Sequence, residues 1–265
     1  MLSAAPVMAQ DDEADCGSEG LFSIFSKPCP ETRTRTGAGP GFAPSYPGAD
    51  KLQVYPLLEF ERVNTDREFD FEAPDESFGF DLIDSGGFSF GPLVNFEDSR
   101  TSEDVGTTLP KVDFSIEPGV FVQYDFGENF RIRSELRKGV TGHGGWIATA
   151  GADLVARDRD EWLFSIGPRV TWSDNKYHDA YFSVAPADAP VAGLIAYDAE
   201  GGIMAYGGLV SALFQVSKRV GFLTYGKYDR LTGDAADSPI VQTYGSRDQW
   251  SGGIALTYTF GPGVD

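Results

Sequence analysis

The chain has 265 residues, within the range of one all-β domain, and 40 acidic against 21 basic side chains give a formal net charge of -19. That balance excludes nucleic acid as a partner, because phosphates need a basic footprint, and excludes electrostatic docking on an anionic membrane surface. No apolar run reaches the ~20 residues of a spanning helix, which leaves a soluble β-protein or a membrane-spanning β-barrel, whose strands are only half apolar.

Residues 1–9, MLSAAPVMA, read as the tail of a secretory signal, with an A-x-A-like cleavage site after Ala9. Residues 10–32 are polar and irregular apart from the apolar patch LFSIF, and are expected to form a periplasmic N-terminal segment. This segment holds the only cysteines, Cys16 and Cys29. In an exported chain two nearby cysteines more often pair than stay free, and closing this loop would stabilise by about 3 kcal/mol. The alternative is two free thiols in an irregular segment.

From residue 33 to residue 260 the pattern is strand and turn. The expected strands are 33–43, 52–63, 78–84, 87–97, 111–126, 129–138, 146–157, 161–173, 177–184, 200–216, 219–230 and 248–260, followed by a short tail, 261–265. In KVDFSIEPGVFVQYDF, Val112, Phe114, Ile116, Val120, Val122, Tyr124 and Phe126 share one face, with Phe121 a misfit on the polar side. In EWLFSIGPRVTWS, Trp162, Phe164, Ile166, Val170 and Trp172 share a face, and the last strand repeats this with Trp250, Ile254, Leu256, Tyr258 and Phe260. Period-two alternation gives each strand one apolar and one polar face. These strands exceed the usual ~5–6 residues of globular proteins and are long enough to cross a bilayer when tilted. Trp162, Trp172, Trp250 and Phe260 mark the ends of the apolar faces, as membrane-interface aromatics do. The opposite faces carry charge: Glu59, Glu61, Glu117, Arg131, Arg133, Glu135, Arg137 and Arg169 are expected to point into a lumen, where opposite charges can pair.

The fold expected is all-β: a closed antiparallel transmembrane β-barrel of about twelve strands, with ten as the alternative. Tight turns of such barrels face the periplasm. With twelve strands, the tight connections near 84–87, 126–129 and 158–161 share one side and the one near 217–219 falls opposite. Omitting 33–43 and 177–184 puts all of them on the same side.

Three stretches, in order, resemble the MipA/OmpV family (MltA-interacting protein) of outer-membrane proteins. They are GAGPGFAPSYPGADKLQVYPLLEF, 37–60; GPRVTWSDNKYHDAYFSVAPADA, 167–189, running on to GLIAYDAEGGI; and LTGDAADSPIV with GSRDQWSGGIALTYTF. Where the family usually reads YFGV, this chain has Tyr181-Phe182-Ser183-Val184. The resemblance implies an outer-membrane β-barrel of Gram-negative bacteria, surrounded by outer-membrane lipid. It also implies a scaffolding role between a periplasmic murein hydrolase and a murein synthase, without catalytic residues or a cofactor.

The charged inner faces motivate a second expectation, a narrow porin or small-solute channel. A third, an outer-membrane enzyme, would have to use His143 or His178, the latter beside Asp179 with Ser173 or Ser183 nearby; catalysis is not expected. Nor is a metal site. Asp234 and Asp237 in LTGDAADSPIV fall short of the six or more oxygens that Ca²⁺ takes, and that stretch is expected to be a rim loop.

Overall fold

The computed structural model describes residues 32–65 and 67–262. The signal-like residues, Cys16, Cys29 and the end of the tail lie outside the described residues. The fold is one antiparallel sheet with strands β1 (Thr32–Pro44), β2 (Leu52–Asn64), β3 (Phe78–Gly79), β4 (Ile83–Ser85), β5 (Phe88–Glu97), β6 (Ser115–Asp125), β7 (Phe130–Lys138), β8 (Trp146–Asp158), β9 (Trp162–Ser173), β10 (Gly202–Gln215), β11 (Val220–Leu231) and β12 (Asp248–Phe260). The order is β2-β1-β12-β11-β10-β9-β8-β7-β6-β5-β3, with β4 also on β5. The sheet curls, so that inward side chains of β1, β7, β9 and β11 all meet one internal segment, Arg67–Ser77. The ladder ends at β2 and at β3 with β4. Every step between those ends is antiparallel and the steps are even in number, so the two end strands run the same way.

The count of twelve has a different origin from the one expected. The strand expected at 78–84 is interrupted into β3 and β4, and the strand expected at 177–184 is a helix, α2 (Asn175–Tyr181), after α1 (Ser102–Val105). The reason is local. Asp174 caps the helix by accepting the Tyr177 N–H, and the buried residues Tyr177, His178, Tyr181 and Phe182 follow helical spacing, not alternation. Removing that one strand puts every tight turn, 86–87, 126–129, 159–161 and 216–219, on one side. The strand at 33–43 did not need to be omitted. The strand expected at 111–126 begins only at Ser115, because Val112 leaves the sheet to pair with Arg100 and is buried.

The outer face of the sheet is predominantly apolar, interrupted by small hydroxyls such as Ser134 and Thr224. Phe164, Ile166, Val170, Ile254, Leu256 and Tyr258 are all exposed there. An apolar exterior on this scale is a lipid-facing surface, not a solvated one. Trp162, Trp172, Trp250 and Phe260 stand on it with exposures from 38% to 58%.

Opposite the tight turns, long connections build a helical cap from α1, α2, α3 (Ala189–Ala192), α4 (Gly233–Asp237) and α5 (Pro239–Tyr244). Its core packs Tyr46, Val105, Leu109, Tyr181, Phe182, Val184, Ile240 and Val241 over the strand ends Ile147, Met204 and Leu231. The stretch LTGDAADSPIV, expected to be a loop, supplies α4 and the start of α5. Ser238 lies between them, fully buried; its hydroxyl donates to the Phe182 carbonyl at 2.6 Å and accepts the Ile240 N–H at 3.2 Å. A second, smaller apolar cluster fills part of the interior with Leu57, Leu209, Leu213, Leu223, Tyr225 and Ala255.

Candidate functional site

The segment Arg67–Ser77, REFDFEAPDES, leaves β2 at the tight-turn end and reaches β3 at the cap end, so it runs lengthwise through the interior. Its sequence suits neither strand nor helix: Pro74 removes a ladder donor and sits at the second position of a turn closed by Glu76 N–H to the Ala73 carbonyl at 3.0 Å. Phe69, 2% exposed, anchors the lower end. Its ring lies beneath the guanidinium carbons of Arg35 at 4.3 Å and Arg33 at 4.7 Å, and its N–H donates to Asp160 at 3.0 Å. Further up, Arg131 lies over the Phe71 ring at 4.4 Å and donates to the Phe71 carbonyl.

The turn aims Asp75 and Glu76 at different parts of the wall. Asp75 meets Arg169 at 3.0 Å and Lys227 at 3.1 Å. Glu76 pairs closely with Arg131 and lies 3.8 Å from Arg133. Each of these cations also holds a carboxylate of the wall: Arg169 and Arg131 share Asp153, Arg133 takes Glu135 at 3.0 Å, and Lys227 takes Asp229 at 3.2 Å. Every cation around the turn therefore bridges one wall carboxylate and one segment carboxylate. In such pairs mutual attraction in the low-dielectric interior offsets the desolvation of both charges, and breaking one side leaves an uncompensated buried charge.

Above the turn the network continues toward the cap. Arg137 lies between Glu135 at 3.6 Å and Glu117 at 3.4 Å. Glu117 also accepts from Asn95 and meets His143 Nε2 at 2.9 Å. Tyr177, from α2, donates its hydroxyl to Glu97 at 2.9 Å. Burial and the Glu97 charge push the Tyr177 phenol far above its usual value, so it stays a donor. Glu97, Glu117 and His143 offer ligand atoms within 4.8 Å of one another. The imidazole argues against a metal: its Nδ1 accepts the Gly145 N–H at 3.0 Å, so Nε2 carries the proton and donates to Glu117. The lone pair a cation would need is absent from Nε2. Between the turn and this cluster is a cavity of about 300 Å³, lined by Arg133, Arg137, Arg169 and Lys227 and by Asp75, Glu76, Glu97, Glu135 and Asp229.

All the charges read from the strand pattern lie on the inward side, with Glu59 and Glu61 paired to Arg35. The inward misfit Phe121 lies under Arg133, 3.9 Å from its guanidinium carbon. Sequence reasoning missed Arg35, Asp153, Lys227 and Asp229, which share the same alternation and were legible from it. It also missed Phe69, Glu72, Asp75 and Glu76, for which a segment without periodicity gives no signal. Neither histidine forms a triad: His143 is bound as described, and among the described residues the buried His178 ring has no hydrogen-bond partner. Burial pushes its pKa down, against the upward pull of Asp234, Asp174 and Asp179. Ser183 donates to Asp179, not to His178. Asp234 and Asp237 serve the cap, one accepting the Glu200 N–H and the other pairing with Arg247.

Among solved structures, the COG4313 outer membrane channel from Pseudomonas putida F1 is similar over 89% of this chain and 97% of that one, at 9% identity and a TM-score of 0.41. OmpT, an outer membrane protein of Vibrio cholerae, is similar over 87% and 97%, at 9% identity and a TM-score of 0.35. No curated protein matches. The family model of MltA-interacting protein MipA matches residues 36–260, the whole span from β1 to the end of β12, and the chain belongs to this family of outer-membrane β-barrel proteins.

Proposed function

We propose that the protein is a closed outer-membrane barrel that acts as a scaffold, not as an open pore, and holds murein-remodelling enzymes on its periplasmic side. The observation that carries this reading is the filled interior: Arg67–Ser77 is ion-paired along the length of the sheet and a helical cap lies over one end. Closure follows from the solvent. Backbone groups of β2, β3 and β4 left open in hydrocarbon would cost several kcal/mol each, so in the membrane the two ends of the ladder meet. Tight turns of such barrels face the periplasm, which supports a periplasmic side at the Thr32 end of β1, where the segment 10–32 would serve as a docking element. The partner class comes from the family name, which describes a protein that interacts with MltA.

The barrel protein, refolded and heat-modifiable on a gel, should give no steady conductance in planar bilayers. It should recover murein hydrolases from periplasmic extract, with recovery falling when residues 10–32 are deleted. Steady conductance through the wild-type protein, or recovery no better than a porin control, refutes the reading.

A further inference from the structure

We propose that Arg67–Ser77 is a displaceable internal occupant of an anion-binding passage, in which Asp75 and Glu76 stand where the acidic groups of a small dianionic solute would contact Arg131, Arg133, Arg169 and Lys227. The inference rests on the closed-barrel reading for the passage, but not for the binding site.

Three observations carry it. The first is the pairing pattern. Each of these cations contacts a wall carboxylate, with Asp153 shared by Arg131 and Arg169, and uses further donors on the segment. With the segment gone, Glu72 included, these four cations face Glu135, Asp153 and Asp229 on the wall, and the ring around the turn carries a net positive charge. Arginine forks and a lysine arranged around one point are the chemistry that holds carboxylate and phosphate groups.

The second is how lightly the segment is tied. It is not a rung of the sheet. Its backbone meets the wall through wall side chains: the Arg67 carbonyl on Arg33, Phe69 N–H on Asp160, the Phe71 carbonyl on Arg131 and Ser77 N–H on Glu135. Beyond it, β3 holds only Phe78 and Gly79 to β5. The segment can leave the ring of cations while β3 stays on the sheet, because none of its own backbone groups pairs in a ladder.

The third is the space beside it. The cavity of about 300 Å³ is lined by Asp75 and Glu76 and by Arg133, Arg169 and Lys227. A competing anion placed there would already touch the cations that hold the segment, and would exchange for it one ion pair at a time. The class of solute is a compact molecule with two acidic groups, dicarboxylate or phosphate.

The test has two arms on the full chain. In planar bilayers, Asp75→Asn with Glu76→Gln should convert a silent protein into one with unitary steps, whose reversal potential in a KCl gradient favours chloride. Silence of a heat-modifiable double variant, or steps that favour potassium, overturns the passage. In the second arm the wild type is followed by hydrogen exchange in succinate, in phosphate and in NaCl of matched ionic strength. Faster exchange at residues 67–77 in succinate or phosphate than in NaCl supports the site and distinguishes the two acid types; equal exchange in all three overturns it. A wild-type protein that conducts steadily refutes the sealed barrel instead, and the exchange arm, which needs no closed wall, then decides the binding site alone.

Discussion

The lower end of the internal segment should be held by Phe69, and Phe69→Ala measures how strongly. The ring is 2% exposed, and two guanidinium groups cover it at 4.3 Å and 4.7 Å. Burying a phenylalanine side chain is worth about 1.5–3 kcal/mol. A cation over an aromatic face adds about 0.5 kcal/mol when exposed and ~2 kcal/mol when desolvated, for each partner. Phe69→Ala should therefore lower the free energy of local opening by roughly 3–5 kcal/mol. Phe69→Leu keeps most of the apolar burial and loses the cation contacts, so its cost should be about 1–3 kcal/mol. The sheet does not depend on this residue, so the loss should be local. Native-state hydrogen exchange reads it at the amides of Phe69 and Ser77, which donate to Asp160 and Glu135. At about 1.4 kcal/mol per tenfold, exchange there should accelerate by roughly two to three and a half orders of magnitude in Phe69→Ala, with strand amides of β9–β12 unchanged. Equal exchange in wild type and Phe69→Ala would refute the anchoring argument. A loss spread evenly over the strands would refute the claim that the segment is separable from the wall.

Two further outcomes concern the cap. The His178 ring is buried and held below its ordinary value of 6.5, so the unfolded cap binds more protons than the folded one as pH drops under that value. Its contribution to cap stability is complete above 6.5 and is lost as pH falls toward the depressed value. Protection of α2 amides, taken relative to the intrinsic exchange rate at each pH, should fall as pH drops below 6.5, and His178→Phe should flatten that change relative to wild type; an identical pH response in the variant would show that the neighbouring carboxylates govern it. Gly145 lies under α2, where an added Cβ would come within 2.5 Å of the Tyr177 nitrogen and 2.6 Å of the Asp174 carboxylate. Gly145→Ala should cost the cap about 1–3 kcal/mol by thermal melting, through displacement of the Asp174 N-cap. Gly202→Ala, where nothing lies within 4 Å, should stay within about 0.5 kcal/mol of wild type. Equal effects of the two substitutions would contradict the packing argument.

The wall of this protein was legible residue by residue. Val170 and Arg169, or Ile132 and Arg131, alternate because a strand has a period of two, and the environment on each side selects the side chain. That is also why the strand ends near 173, 202, 231 and 260 agree with the pattern within a few residues. The alternation of Asp153 and Lys227 was equally readable, and only attention to the loudest charge runs left them aside. At 177–184 the same rule misled. Ala180, Phe182 and Val184 on one parity and Asp179 and Ser183 on the other fit a short alternation, and the cap at Asp174 with the burial of Tyr177, His178 and Tyr181 settles a helix instead.

By itself, then, the amino-acid sequence determined an all-β wall with an apolar exterior and a charged interior, because these follow from period-two chemistry that acts within one strand; the parity of its turns was settled only by the helix at Asn175–Tyr181. The tertiary structure decided what fills that interior. Asp75 and Glu76 are ordinary turn residues until Arg131, Arg133, Arg169 and Lys227, from three different strands, surround them. LTGDAADSPIV is a polar connection until Ile240 and Val241 meet Tyr46 and Phe182 in the cap core. Both are contacts between residues far apart in the chain, and no local period encodes them.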